Sequence, residues 1–197
     1  MHGYYIDEDK RTRVFIISGA LSIIAARLFH LLVQQFNIPW WLDTPAVLGF
    51  FGIFVWLYNN HLWKLRPIQK LRPLYIPNLT GSWRVNIQSS YSEFAETIQA
   101  TAVIRQTASN ISIALKADRS TSQSYFAALI CAEGLSTFEL TFSYINRPTV
   151  DAVDTMSMHY GICWLGISED VKRMDGEYYS GRGRQQFGKI SLTRSER

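Results

Sequence analysis

Tyrosine and arginine side chains recur together in the C-terminal part of the chain, and their chemistry is that of ligand binding. Tyr144 is followed closely by Arg147, and Tyr178 by Arg182. An aromatic ring offers a flat surface on which another ring stacks, and a guanidinium group donates a fork of hydrogen bonds to anionic oxygens. Tyrosine is also common in strands, so the elements that carry these residues decide whether they meet.

Motifs for catalysis or metal binding are not evident. We find no nucleophile elbow, no phosphate-binding glycine loop and no pair of histidines at metal-ligand spacing. His159 is the one histidine of the C-terminal region, and Cys131 and Cys163 fall in predicted strands. We therefore expect a protein that is not an enzyme, holds no metal and needs no cofactor.

The region from residue 80 onward alternates apolar and polar side chains, which is typical of strands with one buried face. The pattern predicts eight strands, at residues 81–91, 96–107, 110–119, 122–134, 137–146, 156–168, 173–183 and 185–194. Sequential strands joined by short turns favour an all-β, up-and-down barrel that closes its own edges. An open sandwich is the alternative, because the pattern does not show closure.

Two apolar stretches, Val14 to Phe36 and Pro45 to Trp63, precede the strands. Each is close to the roughly 20 residues that a helix needs to cross a hydrocarbon core. They predict a membrane α-helical hairpin of two transmembrane helices. Basic residues flank the pair but are absent from the connecting loop, so the positive-inside rule places the N-terminus and the β-domain in the cytoplasm.

The net charge of +4 lies in the N-terminal part. Residues 1–79 hold eight Lys or Arg against four acids, whereas the remainder holds twelve against twelve. The basic character therefore belongs to the membrane flanks, and we expect no DNA or RNA partner.

Small and polar side chains interrupt the first apolar stretch. Arg27 and His30 lie one helical turn apart, and Ser22 and Ala26 continue the face at steps of four. Small residues let helices approach closely, and buried polar groups link them. We hypothesise that this face forms contacts between protomers. Alternatively, Arg27 snorkels to the interface and the small residues only pack one hairpin.

These patterns divide the chain into three parts. We expect an N-terminal segment with the two-helix anchor at residues 1–63, a basic, proline-containing linker at 64–78 and a cytosolic β-barrel that senses a ligand at 79–197.

The order of the parts and two short motifs resemble a known family. The motifs are LTGSW at residues 79–83, which opens the first strand, and DGEYYSGR at residues 175–182. Together they are similar to the two-transmembrane, β-strand-rich effectors of bacterial cyclic-oligonucleotide-based anti-phage signalling (CBASS). A glycine and a tryptophan at the first strand also open many lipocalin-like barrels.

This resemblance implies a function. The lipocalin-like barrel would bind a cyclic dinucleotide, made by a cognate nucleotidyltransferase, as an activating ligand. Copies of the chain would then form a homo-oligomer through their helices and disrupt the lipid of the inner membrane, which kills the infected cell.

Strand topology suggests where this ligand binds. Because the second span leads into the first strand, the opposite rim lies away from the membrane, and it collects the aromatic and cationic groups that bases and phosphates require. The preferred ligand residues are Tyr91, Tyr144, Arg147, His159, Tyr178 and Arg182. The alternative is a membrane-tethered carrier or sensor of an apolar ligand, which should have an uncharged, aliphatic mouth.

We expect Arg182→Ala to weaken binding of a cyclic dinucleotide by about tenfold or more, because a charge-assisted hydrogen bond to phosphate is lost. Calorimetric titration measures the affinity, and circular dichroism checks that the barrel stays folded. Unchanged affinity would count against this rim as the binding site.

Overall fold

The chain forms a helical unit and a β-unit. The computed structural model describes residues 1–6, 8–33, 43–71, 74–131, 138–181 and 185–195. The helical unit is Glu8–Ile76, and the β-unit combines Met1–Asp7 with Pro77–Arg197. The first residues of the chain therefore group with the β-unit, whereas the sequence-based division placed them, as an N-terminal segment, in one part with the two-helix anchor at residues 1–63.

Two helices make up most of the helical unit, α1 (Glu8–Val33) and α2 (Asp43–Asn60). They pack through aromatic contacts, with ring centroids 6.3 Å apart for Phe15 and Phe51 and 6.1 Å apart for Phe29 and Phe50. Aromatic pairs at such distances stabilise a contact beyond the area that they bury.

Within the described residues, one helix is long and apolar enough to cross a membrane, at Lys10–Leu32 of α1. The apolar part of α2, Ala46–Asn60, is shorter than the roughly 20 residues that a span needs. The chain then enters a 3-10 turn at Leu62–Lys64. The predicted second span, Pro45 to Trp63, is thus helical only up to Asn60, and its crossing stays a prediction.

A short helix, α3 (Arg66–Gln69), begins the predicted linker, with Pro67 in its first turn, where its missing N–H has no intrahelical acceptor to lose. The Gln69 side chain donates hydrogen bonds to the carbonyl oxygens of Trp63, at 2.6 Å, and Ile76, at 2.9 Å. One side chain therefore holds both ends of this linker region.

Eight of the described strands form a closed antiparallel barrel. They are β3 (Gly81–Ser89), β4 (Thr97–Gln106), β5 (Asn110–Ala117), β6 (Ser120–Cys131), β7 (Phe138–Pro148), β8 (His159–Ile167), β9 (Arg173–Ser180) and β10 (Phe187–Arg194). Each pairs with the next in sequence, and β10 pairs back to β3. The predicted up-and-down barrel is confirmed, and the open sandwich is wrong.

Strand ends differ from the sequence pattern by a few residues where polar side chains cap the chain. The first strand was expected to reach Tyr91 but ends at Ser89, whose hydroxyl accepts a hydrogen bond from the Tyr91 N–H and starts a 3-10 turn at Ser90–Ser92. The predicted strand portions at 132–134 and residue 137, and those at 182–183, lie outside the described residues.

An apolar core fills the end of the barrel where β3 begins, which we name the closed end. Trp83 is fully buried there, and its indole N–H donates to the Leu79 carbonyl oxygen at 2.9 Å. The Arg194 guanidinium lies 4.7 Å from the centre of the Trp83 ring and donates to the Asn78 carbonyl oxygen. A cation over an indole ring is stabilising, while burial lowers the pKa of Arg194.

Two very short strands at the N-terminus complete the barrel wall. They are β1 (His2–Gly3), antiparallel to β5, and β2 (Tyr5–Ile6), parallel to β6. They occupy this position because β5 and β6 pair only next to their connecting turn, up to Ala114 opposite Gln123. Beyond that point the N-terminal strands supply the missing partners.

Ser124 holds this arrangement from β6, beside a bulge in that strand. Its hydroxyl accepts a hydrogen bond from the Ile113 N–H at 3.0 Å and lies 2.8 Å from Nε2 of His2. Nδ1 of His2 lies 3.1 Å from the Gly3 carbonyl oxygen, which can only accept, so in the neutral ring Nδ1 carries the proton and Nε2 accepts from Ser124.

Gln106 ties the N-terminal segment to the start of the barrel. Its Oε1 accepts from the Leu79 N–H at 2.8 Å, and its Nε2 donates to the Tyr4 hydroxyl at 3.0 Å and to the Pro77 carbonyl oxygen at 3.2 Å. Gln106 and Tyr4 are both buried. A buried amide with its donors and acceptor satisfied stabilises one arrangement of these three segments.

We expect Gln106→Leu to lower the free energy of unfolding by about 1–3 kcal/mol, because the buried Leu79 N–H loses its acceptor. Tyr4→Phe should lower it by about 0.5–1.5 kcal/mol, since it removes a single hydroxyl. Denaturant unfolding of the detergent-solubilised full-length protein, followed by tryptophan fluorescence, measures both.

Gln99→Leu is the matched control, because Gln99 lies on the same strand but is exposed. It should change the free energy of unfolding by no more than about 0.5 kcal/mol. Equal stability of the Gln106 and Gln99 variants would show that Gln106 does not hold the N-terminal segment.

Candidate ligand-binding site

A cavity of about 160 Å³ lies at the end of the barrel opposite the closed end, which we name the open end. Its walls come from the last residues of β3, β5, β7 and β9 and the first residues of β4, β6, β8 and β10. Apolar side chains such as Ile87, Ile113 and Ile190 line it together with hydroxyl, amide and imidazole groups. Such a lining suits a ligand with both flat apolar faces and polar edges.

Four of the side chains predicted from the sequence line this cavity: Tyr91, Tyr144, His159 and Tyr178. Their part in ligand binding stays a prediction. Arg147 is not among the lining residues. It is exposed and follows the inward-facing Asn146, so strand alternation turns it to the outer face of β7. The predicted pair of Tyr144 and Arg147 is therefore not brought together, and Arg182 lies outside the described residues.

The predicted assembly residues lie on different sides of α1. Ser22 and Ala26 are buried, whereas Arg27 is exposed and His30 is half-buried. The Ser22 hydroxyl donates to the Ser18 carbonyl oxygen within the same helix at 2.5 Å. Ser22 and Ala26 are thus buried and Arg27 is the exposed member of the four, and the part of these residues in assembly stays a prediction.

Two of the cavity tyrosines each have a glycine opposite them on the next strand, which makes room for the ring. Gly161 is the cross-strand partner of Tyr144, and Gly188 is the partner of Tyr178. A Cβ atom at either glycine would collide with the ring of the tyrosine opposite. Each ring therefore lies across a glycine of the next strand, which holds the two aromatic groups against the barrel wall.

A polar row crosses three strands at the open end. Asn146 of β7 is paired with Ser122 of β6 and with His159 of β8, and all three side chains line the cavity. The Ser122 hydroxyl lies 2.8 Å from Oδ1 of Asn146. The sequence analysis did not single out Asn146 or Ser122. Asn146 lies two residues from Tyr144 on β7 and so faces the same way, and Ser122 lies opposite Asn146 on β6, so their inward register could have indicated them.

A strained turn holds Tyr91 at the mouth. Glu93 and Phe94 have φ angles of 50° and 65°, in the left-handed region that residues with side chains seldom adopt. The Phe94 N–H donates to the Ser89 carbonyl oxygen at 3.0 Å, and the Phe94 ring lies 6.0 Å from that of Phe187. These contacts offset a strain that is often found beside binding sites.

The described lining is poor in charge. Glu96 is its one carboxylate, and none of the described lining residues is Lys or Arg. Cys163 contributes a buried thiol whose pKa is raised by that burial, so it remains neutral. In the part of the chain that the structure describes, no cluster of three His, Cys, Asp or Glu could hold a metal ion.

We expect Gly161→Ala to lower the free energy of unfolding by about 1–3 kcal/mol, because the added methyl group must displace the Tyr144 ring or the Tyr179 carbonyl oxygen. Gly166→Ala on the same strand is the matched control. Its nearest neighbour would be the Asp175 carbonyl oxygen at 3.7 Å, an ordinary contact. Thermal unfolding with near-ultraviolet circular dichroism distinguishes them, and equal losses would argue against the tyrosine–glycine packing.

Comparisons with known proteins agree with both units. Residues 74–194 match the model of the Cap15 cyclic dinucleotide receptor domain, and residues 12–64 match that of the Cap15 TM helices. A relative from Yersinia aleksiciae, CD-NTase-associated protein 15, is 30% identical over 147 residues, which cover 75% of this chain and 68% of the relative. These matches identify a receptor and effector family rather than a catalytic one. The protein therefore belongs to the Cap15 family of CBASS membrane effectors, with an apolar helical region followed by a β-barrel receptor domain for a cyclic dinucleotide.

Proposed function

We propose that this protein is a ligand-gated effector that disrupts the bacterial inner membrane. A cyclic dinucleotide from a cognate nucleotidyltransferase enters the cavity at the open end of the barrel. Copies of the chain then assemble through their helices and disrupt the membrane. The infected cell dies, and phage replication stops. The ligand acts as a signal, and the protein needs no cofactor.

The observation that carries the proposal is the cavity inside the segment that matches the receptor domain, in which tyrosines and polar groups stand among apolar side chains. Its volume of about 160 Å³ is smaller than the roughly 300–1,000 Å³ of pockets that enclose whole drug-sized ligands. We therefore assign it to one base with part of the dinucleotide ring. The phosphates remain outside the cavity, and Arg182 is kept as their partner from the sequence-based prediction.

The polar groups in the otherwise mainly apolar lining argue against a carrier of an apolar ligand. Ser122, Asn146 and Glu96 all line the cavity. An apolar ligand would remove water from these groups without replacing its hydrogen bonds, which costs about 1–3 kcal/mol for each polar group left unpaired. A ligand with polar edges replaces those bonds.

The membrane part of the proposal rests on α1 and on the charge pattern. Basic residues at the start of α1 and after α2 favour a two-pass arrangement with the N-terminus and the barrel in the cytoplasm. Arg27 is exposed on α1, within Lys10–Leu32. Because a charge in a bilayer is costly unless it meets protein or water, Arg27 is suited to contacts between copies.

Titration of the detergent-solubilised full-length protein with a panel of cyclic dinucleotides tests the receptor step, and release of dye from liposomes that contain the protein tests the membrane step. We expect one ligand to bind at micromolar concentration or tighter and to trigger release. Arg27→Leu with His30→Leu should leave the affinity within about twofold and reduce release by about tenfold or more, because only the helix contacts change.

Leu32→Ala is the matched control, since Leu32 is exposed on the same helix. Failure of every cyclic dinucleotide to bind would overturn the receptor step. Binding without release would overturn the membrane step, and unchanged release by the double variant would remove Arg27 and His30 from assembly.

A further inference from the structure

We infer that Asn146 and His159 form hydrogen bonds to the Watson–Crick edge of one base of the bound ligand. Ser122 fixes the Asn146 amide so that its NH₂ group, and not its oxygen, faces that base. The inference rests on the proposed function and deepens it, because it assigns to particular residues the choice between classes of base. It concerns a donor and an acceptor that stand side by side in the cavity wall.

The two side chains are neighbours by register. Asn146 and His159 are directly paired residues of β7 and β8, and both line the cavity. Each is about 95% buried, with exposures of 5% and 6%. Side chains of directly opposite residues lie close enough to act on one ligand group together.

The Asn146 amide has a fixed direction. The Ser122 hydroxyl donates to its Oδ1 at 2.8 Å, so the NH₂ group points the other way, to the Met156 sulfur at 3.4 Å. A thioether is a weak acceptor on a flexible side chain. An oxygen or ring nitrogen of a base is a better acceptor, so Asn146 presents a donor that a ligand can engage.

The His159 ring presents an acceptor beside that donor. Its Nδ1 lies 2.9 Å from the Ser157 carbonyl oxygen, which can only accept, so Nδ1 carries the proton of the neutral ring. Nε2 then holds a lone pair. Across the described residues, no hydrogen bond occupies that atom.

A donor beside an acceptor is complementary to the pairing edge of a base, and the order separates two classes. Guanine carries an exocyclic oxygen that accepts, next to a ring N–H that donates, whereas uracil has an oxygen on each side of its ring N–H and so fits either order. Adenine and cytosine carry an amino group that donates, next to a ring nitrogen that accepts. For one orientation of the sugar, a fixed amide therefore fits one class and opposes the other, as in other sites that read single bases by their edges.

The test measures the affinities of cyclic di-GMP, cyclic di-UMP, cyclic di-AMP, cyclic di-CMP and cyclic UMP–AMP for the full-length protein in detergent. We expect ligands with a base of the favoured class to bind about tenfold or more tightly than those without one. Asn146→Asp replaces the donor by an acceptor at nearly constant shape, and it should reduce or reverse that ratio by about tenfold.

Ser122→Ala provides a second variant that leaves the reading groups in place. The amide is then free to turn, so the ratio between the two classes should fall towards one while the favoured ligand still binds. Ser143→Ala is the control, because Ser143 lies on β7 but faces away from the cavity, and it should leave both affinity and ratio unchanged.

Two negative results are distinguishable. If the unmodified protein binds none of these ligands, the proposed receptor function fails. If it binds them but Asn146→Asp and Ser122→Ala weaken all ligands by the same factor, the residues only support the wall and the inference of base reading is overturned.

Discussion

The pairing of β10 with β3 joins the two ends of the strand region, and the rest of the β-unit depends on it. Seven residue pairs, from Gly188 opposite Ser89 to Arg194 opposite Trp83, connect these strands. A closed sheet has an inside and an outside, so alternate residues of every strand converge on one interior. Large apolar side chains fill the closed end, whereas shorter polar groups and two tyrosine–glycine pairs leave space at the open end.

The strand register decides which of the inward-facing side chains meet in the cavity. Tyr144, Asn146 and His159 meet because β7 and β8 pair so that Asn146 faces His159 and Tyr144 faces Gly161. A shift of one residue would turn all of these side chains outward. The bulge next to Ser124 shifts the register between β6 and β7 by one residue, close to the point where β6 separates from β5, so the cavity and the docking of the N-terminal strands lie on either side of the same local irregularity.

The sequence predicted the parts of the structure that repeat and missed those that occur once. Eight strands follow from alternation over many residues, and four of the predicted ligand residues line the cavity because the same alternation indicates which tyrosine and histidine side chains lie near strand ends. Arg147 was assigned to a loop, but β7 continues to Pro148 and alternation turns Arg147 outward. Asn146 has no signature of its own until its hydrogen bond to Ser122 is known. β1 and β2 are two residues each, too short for any period to show.

The position of Met1–Asp7 in the β-unit makes the barrel discontinuous in sequence: the helical unit is inserted within the barrel rather than attached before it. During synthesis, β1 and β2 cannot pair until residues more than 100 positions later in the chain have been made, at Ile111 and at Ala128 to Leu129. Both helices leave the ribosome in that interval. The barrel wall is therefore completed late, through contacts of high sequence separation, after the membrane segment has been made.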